Sequence, residues 1–327
     1  MSPLDPTIQL EETRHLDSTL RPEKFSDYIG QEVIKNNLHI LLTAAKERNT
    51  PPEHILLYGP PGLGKTTLAH LIAKELNANL KLSSGPAIMK VGDLAAILTN
   101  LTPGDVLFID EIHRLNKMIE EVLYPAMESG KLDIIIGKGP SARTIQLDLP
   151  PFTLIGATTR ISLLSSPLRS RFSGGTYRLQ YYSEPEIATI VKNSASVLGT
   201  TLPDEAALEI AKRSRFTPRI ANYYLKRARD YAQVHKAVID KEVVDISLDL
   251  LEIDEFGIGV AERMVLEALV NTFNGGPVGL NTLAAATGEE EATIADVTEP
   301  YLIQIGMIER TPRGRKATDK AVLHFKK

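Results

Sequence analysis

The run Gly59-Pro60-Pro61-Gly62-Leu63-Gly64-Lys65-Thr66-Thr67 fits the GxxxxGK[ST] spacing of a phosphate cradle. It directly follows a short apolar run, Ile55–Tyr58, and opens a helix-like pattern, Leu68, Leu71, Ile72 and Leu76, which is the context the motif needs. Glycines at such a turn let backbone N–H groups close around phosphates, and the helix N-terminus adds positive potential. Lys65 is expected to reach the β- and γ-phosphates of ATP, and the Thr66 hydroxyl to ligate Mg²⁺, with Gly62, Gly64 and Thr67 completing the cradle. Further on, Val106–Ile109 reads as a buried strand that ends in Asp110-Glu111. A carboxylate at a strand end beside such a loop is placed to hold the Mg²⁺ shell, the expectation for Asp110. Glu111 beside it can orient and activate an attacking water.

Positioning these groups calls for a parallel sheet covered by helices, and the first part of the chain alternates strand and helix patterns accordingly. Ile34, Leu38, Leu41, Leu42 and Ala45 share one helical face, and Thr153–Ala157 is a further buried strand. Leu132–Ile136 and Thr144–Leu147 flank Gly137-Lys138-Gly139-Pro140, the signature of a β-hairpin with a glycine-rich turn. After Tyr182 strand signals stop. Residues 183–254 read as three or four helices, one of them with Thr217 as N-cap and Pro218 at its first position. Glu252-Ile253-Asp254-Glu255, followed by Gly257 and Gly259, reads as a linker. Residues 260–327 give three helix-like patterns and a basic turn, Thr311-Pro312-Arg313-Gly314-Arg315, which together resemble a winged-helix module. The expected organisation is therefore an α/β P-loop ATPase domain over 1–182, an all-α lid over 183–254 and a C-terminal winged-helix domain over 255–327.

Composition narrows the class. With 327 residues, 43% hydrophobic and 24% charged, the chain can bury several ordinary cores. It has no cysteine, which excludes disulfides and thiolate metal sites, and its seven histidines form no HExxH pair. No apolar run approaches the roughly 20 residues needed to span a bilayer. A cytoplasmic enzyme with no membrane partner is the plain expectation. The net charge of −4 argues against a uniformly nucleic-acid-binding surface, but the charge is uneven. Residues 281–300 carry acids and no Lys or Arg, whereas Arg310, Arg313, Arg315, Lys316, Lys320, Lys326 and Lys327 crowd the last stretch. Such a cluster suits salt-dependent phosphate contacts with duplex DNA, and no aromatic residues are interleaved with it for stacking bases.

Further elements resemble the AAA+ class. Thr153–Arg160 resembles its sensor 1 strand, with Thr159 in the polar position near the γ-phosphate. Ser166-Pro167-Leu168-Arg169-Ser170-Arg171-Phe172 resembles the arginine-finger box, whose Arg reaches a neighbouring subunit's ATP and neutralises charge developing on the transferred phosphoryl group. Phe216-Thr217-Pro218-Arg219 resembles sensor 2, with Arg219 in the first turn of a lid helix.

Taken together with Leu20-Arg21-Pro22, Phe25–Gln31, Asp110–Leu115, Leu123–Glu128, Pro218–Asn222 and Arg310–Arg315, these segments resemble the RuvB family of Holliday-junction branch-migration motors. The likeness runs from about residue 17 to 320. It implies that Leu20, Arg21 and Ile29 border the base and ribose and that Tyr182 lines the nucleotide. It implies that Glu128, Ser129 and Gly130 approach the nucleotide across a subunit interface, with Arg171, the residue before the Phe, as the finger in trans. Arg310, Arg313 and Arg315 would contact DNA from the wing, and residues 132–147 would dock a RuvA-like junction-binding protein. The resemblance further implies a homo-hexamer on duplex DNA at four-way junctions, a role in recombination, repair and the SOS response, and an indirect link to a RuvC-like resolvase. One departure stands out. Ser173-Gly174-Gly175 replaces the family's usual Gly-Ile with one extra residue, which leaves Tyr181 as the alternative to Tyr182.

Overall fold

The computed structural model describes residues 19–136 and 143–325, with the side chains of residues 134–136 and 143–144 outside that description. The chain forms two compact units that divide between Glu186 and Ile187.

The first unit contains, in chain order, β1 (Ile55–Tyr58), β2 (Leu80–Ser84), β3 (Val106–Asp110), β4 (Lys131–Ile136), β5 (Arg143–Asp148), β6 (Thr153–Thr158) and β7 (Thr176–Arg178). Five of them make a parallel sheet in the order β2-β3-β6-β1-β7. The inner strands are uninterrupted apolar runs because parallel strands are covered on both faces. Leu56, Leu107, Ile109 and Leu154 are all fully buried. Helices Glu32–Arg48, Lys65–Glu75, Val91–Thr99 and Lys117–Ser129 belong to the same unit. The first buries Ile34, Leu38, Leu42 and Ala45, the face that the sequence periodicity marks, with Leu41 half-buried beside it. β4 and β5 pair as an antiparallel hairpin in which Leu132 faces Leu147 and Ile134 faces Ile145. Leu132 is buried and Ile145 is exposed, so the hairpin has an inner and an outer end. Ile134, Ile135 and Ile136, the apolar run expected to meet a partner, fall among the side chains outside the description.

The Ser173–Gly175 departure is absorbed in a tight turn ahead of β7. Gly174 N–H donates to the His54 carbonyl at 2.9 Å, and the Gly175 carbonyl accepts from Leu56 N–H at 2.9 Å. Gly175 sits at φ +119, where a Cβ would lie 2.6 Å from the Tyr177 ring, so only glycine fits. The register then resumes with Leu179 N–H donating to the Tyr58 carbonyl at 2.8 Å, and Tyr182 rather than Tyr181 turns inward.

In the second unit, Asp204–Arg213, Pro218–His235 and Lys241–Asp249 follow the helix Glu184–Val197, whose first turn lies at the boundary. Thr217 stands at the N-cap position of Pro218–His235, but its hydroxyl donates back to the Arg215 carbonyl and makes no cap bond. The winged-helix part runs through Val260–Glu267, Leu280–Thr287 and Glu299–Gln304 into β8 (Ile308–Thr311) and β9 (Gly314–Ala317), and then Asp319–His324. Val265, Leu269, Leu283, Leu302 and Met307 are its fully buried core.

The segment from Glu252 to Gly259, a linker by composition, is cross-braced instead. Asp254 Oδ1 accepts from Phe256 N–H at 2.9 Å and Ile258 N–H at 2.8 Å, and Tyr301 donates its hydroxyl to the Phe256 carbonyl. Arg215, from the lid, donates to the Gly257 carbonyl at 3.0 Å and grips Glu262 at both oxygens, 2.7 and 2.8 Å. Arg213 reaches Glu209 at 2.8 Å and Asp245 at 2.5 Å. Planar guanidinium forks suit such two-oxygen grips. Glu262→Ala, which strands the half-buried Arg215, is expected to cost about 3 kcal/mol of second-unit stability. Urea unfolding measures this, and an unchanged midpoint would show that the pair does not hold the joint.

Candidate functional site

The phosphate cradle leaves the end of β1 and enters the Lys65–Glu75 helix. Gly64 adopts φ +98, and a Cβ there would lie 2.9 Å from the Tyr28 hydroxyl. Lys65 is 7% exposed, and its Nζ donates to the Gly59 carbonyl at 2.8 Å and the Pro60 carbonyl at 2.9 Å, so the loop satisfies its charge. Gly62 takes φ +78, and Thr66 and Thr67 occupy the first helical turn, half-buried. Behind the loop, the Tyr182 hydroxyl donates toward the Tyr28 hydroxyl at 3.1 Å and the Leu63 carbonyl at 3.2 Å. Burial raises the Tyr28 phenol well above its ordinary pKa, with Tyr182 adding to the effect, and burial raises the Tyr182 phenol as well. Tyr182 is therefore a strut under the cradle. Arg21 bonds His70 Nε2 at 2.7 Å on the outer side of the same helix, and Leu20 and Ile29 are half-buried.

β3 ends one strand away. Its pairing with β6 sets Ile109 beside Gly156, and β6 in turn sets Thr158 beside Tyr58 of β1. Asp110 closes the strand, and its Oδ1 accepts from Glu111 N–H at 2.9 Å. Glu111 then adopts the left-handed conformation, φ +47, a strained turn of the kind found where a side chain must be aimed. Thr159 donates to Glu111 Oε2 from its hydroxyl at 3.0 Å and from its backbone at 3.4 Å. His113 Nδ1 lies 2.9 Å from Thr158 Oγ1 and 3.1 Å from Glu111 Oε2. Burial holds the His113 imidazole below its ordinary pKa. Arg160 and Arg114 push the same way, while Glu111 and Asp110 oppose. Thr66 and Asp110 offer hard oxygen donors of the kind Mg²⁺ takes. Among the described residues no group of three His, Cys, Asp or Glu could hold a metal. These two donors fit a Mg²⁺ that keeps waters and nucleotide phosphates in its shell.

Arg171 lies at the end of the short helix Ser166–Ser170. Its guanidinium donates to the Pro167 carbonyl at 2.7 Å and to Glu128 Oε2 at 3.0 Å, and lies 4.5 Å from the Tyr124 ring centre. Arg171 and the Glu128–Gly130 corner thus share one surface. Glu128 and Ser129 are exposed there, and Gly130, at φ +64, ends the Lys117–Ser129 helix. His54 backs that corner. Its Nε2 lies 3.0 Å from the Met127 carbonyl, and its Nδ1 accepts from Leu154 N–H at 2.9 Å.

In the second unit, Arg219 is exposed in the first turn of Pro218–His235. The wing residues divide. Arg310, Arg313 and Lys316 are exposed. Arg315 is not: it is 8% exposed and donates from Nε and Nη2 to Glu299 Oε2 at 3.0 and 2.8 Å. Its guanidinium thus bonds a buried carboxylate inside the domain.

Family models described as the Holliday junction DNA helicase RuvB P-loop domain, the RuvB AAA lid domain and the RuvB C-terminal winged helix domain match residues 20–179, 182–254 and 255–326. The chain belongs to the RuvB family. Among solved structures it is similar to Thermotoga maritima RuvB, described as a Holliday junction branch migration motor. That protein shares 50% sequence identity over 94% of this chain and 98% of its own, with a TM-score of 0.83. Two single-residue mutants of the same RuvB match at a TM-score of 0.84 with the same identity and coverage. This is a RuvB-type P-loop ATPase with a parallel-sheet domain, a lid and a winged helix.

Sequence reasoning assigned no role to His113, Tyr28, Tyr124, His70 or Glu299. His113 sits two residues past Glu111, a spacing that could have flagged it. The others become visible only through tertiary contacts.

Burial also lowers His54 and His70 from the ordinary 6.5, as it does His113, so the folded first unit resists protonation of all three. The unfolded chain takes up protons at these sites below pH 6.5 while the folded chain resists, so stability must fall as pH drops through that window. Urea midpoints between about pH 7.5 and 5.5 should show the decline, and His54→Asn should flatten it. A slope unchanged by the substitution would remove His54 as a contributor.

Proposed function

We propose that this chain is an ATP-driven motor that assembles as a hexameric ring on duplex DNA and drives branch migration of four-way junctions together with a RuvA-like protein. The observation that carries this reading is the unbroken succession of all three RuvB-type domains, with Lys65, Asp110, Glu111 and Thr159 at adjacent strand ends. Lys65 exchanges its loop carbonyls for the β- and γ-phosphates of ATP. Thr66 and Asp110 would hold a Mg²⁺, which would supply charge neutralisation at the phosphate oxygens. Glu111 takes a proton from the attacking water as the water oxygen bonds to the γ-phosphorus and the bond to the leaving oxygen breaks. Arg171 acts in trans, leaving Glu128 for the phosphate of a neighbouring subunit's nucleotide. Arg219 reports nucleotide state to the lid, and the 132–147 hairpin docks the RuvA-like partner. A RuvC-like resolvase acts downstream in recombination and repair, in the cytoplasm.

The deciding experiment is ATP-dependent dissociation of a synthetic four-way junction by the chain and its cognate RuvA-like protein, with Arg171→Ala in parallel. Product from the natural chain alone is expected. Healthy ATP hydrolysis and junction binding without product would move the reading to a ring-loading AAA+ switch.

DNA contact through the wing has its own signature. Replacing Arg310 and Arg313 with Ala should weaken binding alike for all sequences and reduce the salt-dependence slope by about 2. Arg315→Ala should instead destabilise the domain. Salt titrations of duplex binding separate the two, and an unchanged slope in the double substitution would move the DNA surface off the wing.

A further inference from the structure

We propose that His113 is a positioning residue for ATP hydrolysis, fixing which oxygen of Glu111 faces the attacking water. The inference rests on the reading of Glu111 as the general base.

A base on a flexible side chain is useful only when something holds it. Glu111 stands just past the end of β3 in a left-handed conformation, with its side chain 33% exposed, so its own backbone gives the carboxylate little support. Its two oxygens are treated unequally. Oε2 collects the Thr159 hydroxyl at 3.0 Å, the Thr159 backbone N–H at 3.4 Å and His113 Nδ1 at 3.1 Å. Among the described residues, Oε1 has only a long contact of 3.4 Å with the Thr159 hydroxyl. One oxygen is anchored and the other is left to accept a proton.

His113 is well placed to be the anchor. Its side chain is 10% exposed, and Nδ1 also lies 2.9 Å from Thr158 Oγ1. Thr158 is fully buried in β6, and its Oγ1 accepts from Arg160 N–H at 3.0 Å. A carboxylate 3.1 Å from Nδ1 selects the tautomer with its proton on that nitrogen, since a lone pair there would face negative charge. The ring then donates toward both Glu111 and Thr158. A core threonine on one strand thereby sets the orientation of a carboxylate at the end of the next. The charged groups acting on the ring are Glu111, Asp110, Arg114 and Arg160.

The test compares ATP hydrolysis and fluorescent-nucleotide binding by the full chain carrying His113→Ala, His113→Asn or Glu111→Gln. His113→Ala should lower kcat by about tenfold or more, a fraction of the roughly 10²–10⁴-fold that a positioned base contributes, with nucleotide affinity unchanged. His113→Asn, whose amide can place an N–H near the Nδ1 position, should recover most of the loss. Equal losses in both variants would assign His113 to packing alone and overturn the proposal, as would full activity of His113→Ala while Glu111→Gln is dead. A Glu111→Gln chain that still hydrolyses ATP would instead remove the base assignment, and the role of His113 with it.

Discussion

The hydrogen-bond register that joins β1, β6 and β3 as parallel neighbours is the constraint on which the first unit's chemistry depends. Parallel strands end on the same side, so the loops that leave them converge. Tyr58 beside Thr158 and Ile109 beside Gly156 put the phosphate cradle, Thr158-Thr159 and Asp110-Glu111 along one edge of the sheet. A slip of one residue in either pairing would turn every side chain of the slipped strand to the opposite face. The apolar composition of the inner strands thus secures both the core and the aim of the groups at their ends.

Polar groups that enter this core are satisfied where they stand. His54 uses both ring nitrogens, Thr158 is paired with His113 and Arg160, and Lys65 rests on loop carbonyls. Leaving any of them unpaired would cost more than the bond itself contributes. The lysine differs in kind, because its partners are replaceable. Carbonyls that hold an ammonium weakly can yield it to phosphate oxygens carrying full charge.

Much of this was legible in the sequence, for reasons that differ by element. β1, β3 and β6 announce themselves as apolar runs, and the cradle follows a spacing that few other structures require. The ion pair of Arg315 with Glu299 was not legible, because composition counts charge without direction. Arg310 and Arg315 face each other across β8 and β9, an arrangement of like charges that needs a carboxylate nearby. That carboxylate, Glu299, belongs to a stretch that reads as plain acidic surface, yet it is 2% exposed beneath the hairpin. The bracing of the linker was hidden for a similar reason. Acids and glycines suggest solvent, whereas Asp254 spends its oxygen on backbone N–H groups two and four residues ahead. The contact of His113 with Thr158 was not legible, because the two residues lie far apart along the chain.

The cross-brace between lid and winged helix bears on mechanical loss. A joint built only of glycines behaves as a soft spring, and displacement applied at one end is absorbed before it reaches the other. Here Arg215 clamps Glu262 and the Gly257 carbonyl, while Tyr301 pins the backbone at Phe256. Within the second unit these contacts brace lid and winged helix against each other. In the proposed motor, work delivered to the lid would reach the wing with little compliance to dissipate it, so the length of the arm, rather than its give, would set how far the load is carried per stroke.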